Sequence, residues 1–494
     1  MTMNRLIAPP VPAGVEQDHH FAVQVRPVGT DTWVDVPTYA AWVDMHDVRQ
    51  TAVSIFDFIG PVEVRLRPHV FWIHSAIVRP LSLGIEAACD GHEVIFTLEK
   101  PANMMIEINK ERFRCLHLFA GAIQAETAEN VIRLETAPGR VRTSGSAGMA
   151  ARLAEMPKGR TLFFGPGLHV VGEYIFPVPS DTRIYLAPGA VVMGAFILEN
   201  VENVVIEGHG VILQRSFHRF SGINGVRISH CQNVRIEGVT FINPPHYTIY
   251  LGSCEDVTIR GIRSFSCEGW SDGIDMMSCR NIHVDGCFLR TSDDCIAIYG
   301  SRWAHRGDCW DVLVENSTLW ADVAHPTNIG THGDHEHDGN IIERITFRNI
   351  DILEHHEHQP GYLGCLSINP GDKNTVRDVL YEDIRVEHIE HGKLLDVQVK
   401  YNPDYNPAPG RRIERITFRN IRCDCVPPVE SVIAGYDAEH DVLDIRMENV
   451  LVCGQSFQPQ IGQYVSGVEM LESENQFCDE EFDCFPYVGK EIGR

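Results

Sequence analysis

Asn203-Val-Val-Ile-Glu-Gly208 is a short run of alternating apolar and polar residues, and the chain keeps returning to it. It recurs as Asn233-Val-Arg-Ile-Glu-Gly238, Asp256-Val-Thr-Ile-Arg-Gly261, Asn281-Ile-His-Val-Asp-Gly286 and Asp311-Val-Leu-Val-Glu-Asn316. Further copies are Arg344-Ile-Thr-Phe-Arg-Asn349, Asp378-Val-Leu-Tyr-Glu-Asp383 and Arg415-Ile-Thr-Phe-Arg-Asn420. With Val204, Val234, Val257, Ile282, Val312, Ile345, Val379 and Ile416 taken as equivalent, the intervals are 30, 23, 25, 30, 33, 34 and 37 residues. Each unit holds several short β runs and no helical period, so none can bury its own apolar face. Stacked units of this kind predict a parallel β-helix, right-handed as parallel crossovers are. Cys231, Cys254, Cys279 and Cys309 each fall three residues before the equivalent Val or Ile. The stack should therefore place their thiols in one buried column, about 4.8 Å apart, where one sulfur per turn makes no tetrahedral cage.

Upstream the pattern differs. Phe21-Ala-Val-Gln-Val-Arg-Pro27, Ala52-Val-Ser-Ile-Phe-Asp-Phe58, Val62-Glu-Val-Arg-Leu-Arg67, Glu93-Val-Ile-Phe-Thr-Leu98 and Met104-Met-Ile-Glu-Ile-Asn109 read as antiparallel strands of a β-sandwich. Pro138-Gly-Arg-Val-Arg-Thr-Ser-Gly-Ser-Ala-Gly148 reads as a linker. The expectation is an all-β chain: a β-sandwich over 1–150, then a right-handed parallel β-helix over 151–494 ending in a C-terminal cap.

Composition bounds the rest. The 494 residues, 44% hydrophobic and 22% charged, suit a soluble globular protein. A formal charge of −25 argues against nucleic acid as a partner, and no apolar run approaches bilayer-spanning length, so no membrane partner is expected. The start, Met1-Thr-Met-Asn-Arg-Leu-Ile-Ala-Pro-Pro10, lacks the apolar stretch of a secretory signal. The 15 cysteines are an odd, scattered set that suits reduced thiols. A cytoplasmic protein is the expectation.

Carboxylates gather in two successive repeats. Trp270-Ser-Asp-Gly-Ile-Asp-Met276 carries Asp272 and Asp275, and Thr291-Ser-Asp-Asp-Cys-Ile-Ala-Ile-Tyr-Gly300 carries Asp293 and Asp294. Aligned on their strands, Asp272 and Asp294 become lateral neighbours. Like charges raise one another's pKa, and such crowding suits a site that gives one proton and takes another, as in glycoside hydrolysis. Strict alternation would bury Asp294 with Ile296 and Ile298, so the aspartates are expected at bends just before their strands, facing a cleft.

Asp-Gly-Ile-Asp followed by Ser-Asp-Asp-Cys-Ile-Ala-Ile resembles the core of glycoside hydrolase family 28, the polygalacturonases, with a pectin-lyase-like solenoid. The resemblance implies Asp293 as general acid, Asp272 and Asp294 as holders of the attacking water, and inversion, for which acid and base stand roughly 6.5–9.5 Å apart. Ala324-His-Pro-Thr-Asn-Ile-Gly-Thr331 falls where that family has Gly-His-Gly, making His325 the site histidine. The family's Arg-Ile-Lys, which grips a uronate carboxylate, falls at Leu366-Ser-Ile-Asn-Pro370, so Ser367 and Asn369 replace the two cations and suit neutral hydroxyls. A sandwich followed by Leu186-Ala-Pro-Gly-Ala-Val-Val-Met-Gly194 and a β-helix is similar to glycoside hydrolase family 49, the dextranases and isopullulanases. The function expected is an inverting hydrolase of a neutral α-linked oligo- or polysaccharide. The alternatives are a uronate-glycan hydrolase, a β-helix lyase or a noncatalytic carbohydrate-binding solenoid.

Trp270 and Tyr299, nearest the aspartates in sequence, are sugar platforms beside Tyr247, Trp303 and Trp320. Asp275, His246 and Arg302 join the substrate-binding candidates, and the 301–307 insertion is placed to close one end of the cleft. His332-Gly-Asp-His-Glu-His-Asp338 and His355-His-Glu-His358 form one wall, with His332 a substrate contact. Histidine-rich loops of this kind commonly bind nothing, and no phosphate loop stands in a strand-to-helix context. No metal and no cofactor are expected, and carbohydrate is the one partner implied.

Overall fold

The structure, a computed structural model, describes residues 5–124, 130–136 and 140–471. The cap expected at the end of the chain lies outside these from residue 472 onward.

The N-terminal region is a sandwich of a six-stranded and a five-stranded sheet. All five runs read as strands are strands, but the region is not wholly antiparallel: Glu111–Ala122 runs parallel to Arg49–Ile59. Strands of the opposite sheet intervene between those two, and that crossover is what a parallel pair requires. Arg49–Ile59 is buried on both faces through its middle. One face carries Phe56 and Phe58 into the sandwich core. The other carries Val53 and Ile55 against Val191, Phe265 and Phe288 of the following domain.

That domain is one continuous sheet whose strands wind as a right-handed parallel β-helix. The repeat positions lie in register, Val204 beside Val234, then Val257, Ile282, Val312 and Ile345. The sheet takes in Val131–Leu134 and Val141–Ser144, and a helix, Ser146–Ala154, follows with Leu153 in the core. The stretch read as a linker is thus strand over Val141–Ser144 and helix from Ser146, and Pro138 and Gly139 lie outside the described residues.

The first position of the repeat has a backbone explanation. Asn203, Asn233, Asp256, Asn281, Asp311 and Asp378 all hold φ between 53° and 58°, the left-handed region that Asn and Asp enter more readily than other side chains. Arg344 and Arg415 hold it too, each tied to the aspartate one turn earlier, Asp311 and Asp378, at 2.7 Å. The four cysteines occupy one buried column, as their spacing requires.

Candidate active site

Ile274, Met276, Ile296 and Ile298 face the core, which turns Asp275, Met277, Ala297 and Tyr299 outward by alternation. Asp275 and Ala297 belong to an outward row that continues through Asn328, Ser367 and Asp396. Two residues before the strands Ile274–Met277 and Ile296–Tyr299, the chain bends, and Asp272 and Asp294 leave the alternation there. Gly273 makes the bend possible: its N–H donates to the Asp294 carbonyl at 2.8 Å, and a Cβ would lie 2.2 Å from the Cys295 carbonyl oxygen. His325 precedes Thr327–Ile329 in the same way and stands beside Asp294.

Asp272, Asp293 and Asp294 each bring one carboxylate oxygen within 4.8 Å of the others. That is closer than the expected acid–base window. Asp272 and Asp294 are lateral neighbours one strand spacing (~4.8 Å) apart, and Asp293 is bonded to Asp294, so the solenoid's own rise holds the group tight.

Their surroundings differ sharply. Asp294 Oδ1 accepts from His325 Nδ1 at 2.7 Å and from the His325 backbone N–H at 3.1 Å, and Oδ2 accepts from Asn328 Nδ2 at 2.8 Å and the Tyr299 hydroxyl at 3.4 Å. Burial pushes the Asp294 carboxyl up, but the His325 charge and these hydrogen bonds outweigh it and hold it below the usual carboxylate range. Among the described residues Asp293 accepts only backbone donors, Trp270 N–H and its neighbour's N–H, each at 3.0 Å. Burial, then the Asp294 charge, push Asp293 up to about 7. Asp272 is raised by burial and then by Asp275, and its Oδ1 is buried without a partner. Asp275 is raised by burial, with Arg302 opposing. His325 is driven down by burial, but Asp294 lifts it to about 9, and its Nε2 has no hydrogen-bond partner.

Of the other candidates, Tyr299 reaches Asp294 as above and meets the His332 ring edge-on at 5.0 Å. Burial takes His332 down to about 3 and His246 to about 4, leaving both neutral. His246 Nδ1 accepts from the Tyr247 N–H at 2.9 Å, and its ring lies between Trp270 and Trp303. Trp270 is half exposed beside Asp293. Arg302 donates to the Tyr247 hydroxyl and covers the Tyr299 and Trp303 rings.

Three expectations are corrected. Ser367 and Asn369 are buried, Ser367 Oγ donates to Asn369 Oδ1 at 2.7 Å, and the Asn369 amide donates to the Asp396 carbonyl at 3.2 Å. Their polar atoms are turned to each other and to the next turn rather than to a ligand. Trp320 is no sugar platform, since it is buried under the sandwich with the Arg290 guanidinium 3.8 Å above its ring. The His355 ring is buried and bound to the Leu363 carbonyl, not part of an open wall. Sequence reasoning missed Asn328; its place three residues after His325, on the outward parity shared with Ala297, was the available signal. Outside the aspartates, Asp334, Glu336 and His337 also bring potential ligand atoms together, on the surface.

The model of glycosyl hydrolases family 28 matches residues 221–469. A probable polygalacturonase of Arabidopsis thaliana is 32% identical over 240 residues, which is 46% of this chain and 48% of that protein. A dextranase of an Arthrobacter strain is 24% identical over 195 residues, 33% of this chain and 29% of that one. The chain thus spans about half or less of these curated relatives. Dex49A from Penicillium minioluteum superposes with a TM-score of 0.69 at 15% identity, over 94% of this chain and 96% of its own. At that identity the likeness speaks for the fold, sandwich and solenoid together.

Proposed function

The chain belongs to glycosyl hydrolases family 28, and from that premise we propose that it hydrolyses an α-linked, neutral oligo- or polysaccharide with inversion at the anomeric carbon. The observation that carries this reading is the split in proton affinity within one carboxylate cluster. Asp293 is held up to about 7 by burial and Asp294, while Asp294 is held down by His325. Environments that push neighbouring carboxyls apart assign an acid and a base. Asp293 protonates the glycosidic oxygen as it leaves. A water held between Asp294 and Asp272 attacks the anomeric carbon and gives its proton to Asp294. The bond to the leaving sugar breaks as the bond to water forms, and Asp293 ends ionised. His325 keeps Asp294 charged.

Neutral sugar is favoured by the charge of the groove. Ser367 and Asn369 contribute none, and Lys400 in the following turn is matched by Asp396 at 3.6 Å. At that turn a uronate carboxylate would find no cation among Ser367, Asn369 and the matched Lys400. A second reading, hydrolysis of a galacturonan, is favoured by the likeness to a probable polygalacturonase. Incubation with α-glucan, fructan, galactan and galacturonan oligosaccharides separates them. Release of reducing sugar from α-glucan alone supports the neutral reading; turnover confined to galacturonan overturns it in favour of the second.

A further inference from the structure

The groove is walled on the side of the earlier turns. Tyr250, Asp275 and Ala297 are consecutive neighbours on the outward row, so a sugar chain running back from the carboxylates along this row would pass over Tyr250. Trp303 already occupies that place, its ring within 3° of parallel to Tyr250 and 5.7 Å from it between centroids.

The wall is fastened. Trp303 belongs to residues 301–307, which leave the strand Ile296–Tyr299 and reach back across two turns. Arg302 and His305 exchange backbone hydrogen bonds at 3.0 Å, and the Gly307 N–H donates to Ser301 Oγ at 3.0 Å. The His305 ring lies 2.9 Å from the Tyr250 hydroxyl through Nε2 and 3.0 Å from Ser253 Oγ through Nδ1. Gly252 admits this imidazole, since a Cβ there would fall 2.1 Å from Nε2.

On the side facing the later turns the same loop borders a cavity of about 300 Å³ lined by Arg302, Trp303, His332 and Tyr405. His332 and Arg302 both touch Tyr299, whose hydroxyl reaches Asp294, so one tyrosine links the cavity wall to the carboxylates. The cavity's volume is at the small end of the roughly 300–1,000 Å³ typical of ligand sites. Arg302 contacts the Tyr247 hydroxyl and, at 3.7 Å, Asp275 through Nη1, which leaves Nε and Nη2 as donors for sugar oxygens.

We propose that the protein attacks its substrate from a chain end: the terminal sugar occupies the cavity, Trp303 stops the chain beyond it, and Arg302 binds its oxygens. This rests on the hydrolase reading above. The test uses the full chain with isomaltohexaose and hexagalacturonate, each carrying a fluorophore at the reducing end, sampled early in turnover. The expected result is terminal units released one step at a time, with no labelled fragments of intermediate length at first. Trp303→Gly should raise the ratio of internal to terminal cleavage by roughly tenfold or more, and Arg302→Gln should raise KM more than it lowers kcat. Internal fragments from the wild-type protein at the earliest times overturn end attack and leave the hydrolase reading standing. No turnover of either probe, or of the wider oligosaccharide panel, removes the hydrolase reading and this inference with it. The wild-type pattern decides the point even if the Trp303 variant does not fold.

Discussion

His325 Nδ1 lies 2.7 Å from Asp294 Oδ1, and the His325 backbone N–H donates to that same oxygen. Burial alone would drive the imidazole neutral; Asp294 instead lifts it to about 9, above the roughly 6.5 of a free histidine. Its folded value exceeds its unfolded one, so this stabilisation is fully present below about pH 6.5 and is lost as pH rises through about 9. The same contact keeps Asp294 ionised below the usual carboxylate range, while Asp293 stays protonated up to about 7. The expected profile of kcat/KM against pH is a plateau that falls above about 7, as Asp293 loses its proton, with an acid limb below the ordinary carboxylate pKa. His325→Gln should move the acid limb upward, because the charge holding Asp294 down is gone, and so narrow the plateau. An acid limb that stays in place would show that Asp294 is not the base.

Asp293→Asn removes the transferable proton and keeps the shape. The amide oxygen still accepts one of the two backbone N–H groups, from Trp270 or Asp294, that the carboxylate holds. Turnover should fall by roughly 10²–10⁴-fold, the usual contribution of a general acid. Sugar affinity by calorimetry and the thermal midpoint should stay near those of the parent. Unchanged turnover would sink the assignment of Asp293.

Much of this site was legible in the sequence because a β-helix converts sequence periodicity directly into lateral neighbours. Once Asp272-Gly-Ile-Asp-Met276 is laid beside Asp294-Cys-Ile-Ala-Ile298, Asp272 and Asp294 lie side by side, and the forbidden burial of Asp294 implies the bend. What alternation cannot report is where a polar side chain spends its hydrogen bonds. Ser367 and Asn369 hold outward-row and strand-end positions, yet their partners are each other and the backbone one turn on. Trp320 likewise has the outward parity of a platform, and only the docking of the sandwich over that face decides that it is buried. Such inter-domain contacts leave no period in the chain. The parallel pairing of Arg49–Ile59 with Glu111–Ala122 was hidden for a similar reason, since alternation is the same in either strand direction.

The joint between the two domains depends on charge. Arg79, from the sandwich, lies 2.9 Å from Glu354 and 2.6 Å from Glu387 of the solenoid, and 3.0 Å from Glu107. All four are largely buried, so Arg79→Met should take this cation from Glu107 and Glu387 and leave Glu354 to Arg112 and His388, at a cost of about 3–5 kcal/mol. Burial raises the Glu354 carboxyl, but Arg79 and His388 outweigh it and hold it below its ordinary value. Its contribution is therefore present above the unfolded pKa of about 4.3 and fades as pH falls below that. Urea unfolding at pH 7 and pH 4 checks this. The deficit of the variant should shrink at the lower pH as stranded glutamates take up protons, whereas an equal deficit at both would point to lost packing instead.

The stereochemical outcome is the most demanding test of the carboxylate cluster, because its spacing is short for an inverting pair. Oxygens of Asp272, Asp293 and Asp294 within 4.8 Å of one another fall nearer the roughly 5–5.5 Å of retaining enzymes, in which one carboxylate attacks carbon directly. The partners of these oxygens argue for the other course. Asp294 is held in a fixed orientation by His325 and Asn328. Asp272 keeps Oδ1 buried and unpartnered. Two oxygens less than 4.8 Å apart can both accept from one water at ordinary hydrogen-bond length, about 2.7–2.8 Å. The cluster is thus shaped to hold a water between Asp272 and Asp294, with no need for the wider gap of a two-carboxylate site. Proton NMR of the first product from an α-linked oligosaccharide should therefore show the β-anomer before mutarotation. Asp272→Asn should slow this reaction without trapping a glycosyl-enzyme. An α-anomer formed first, or a covalent adduct on Asp272 or Asp294 detected by mass spectrometry, would reverse the argument and make one of these carboxylates the nucleophile.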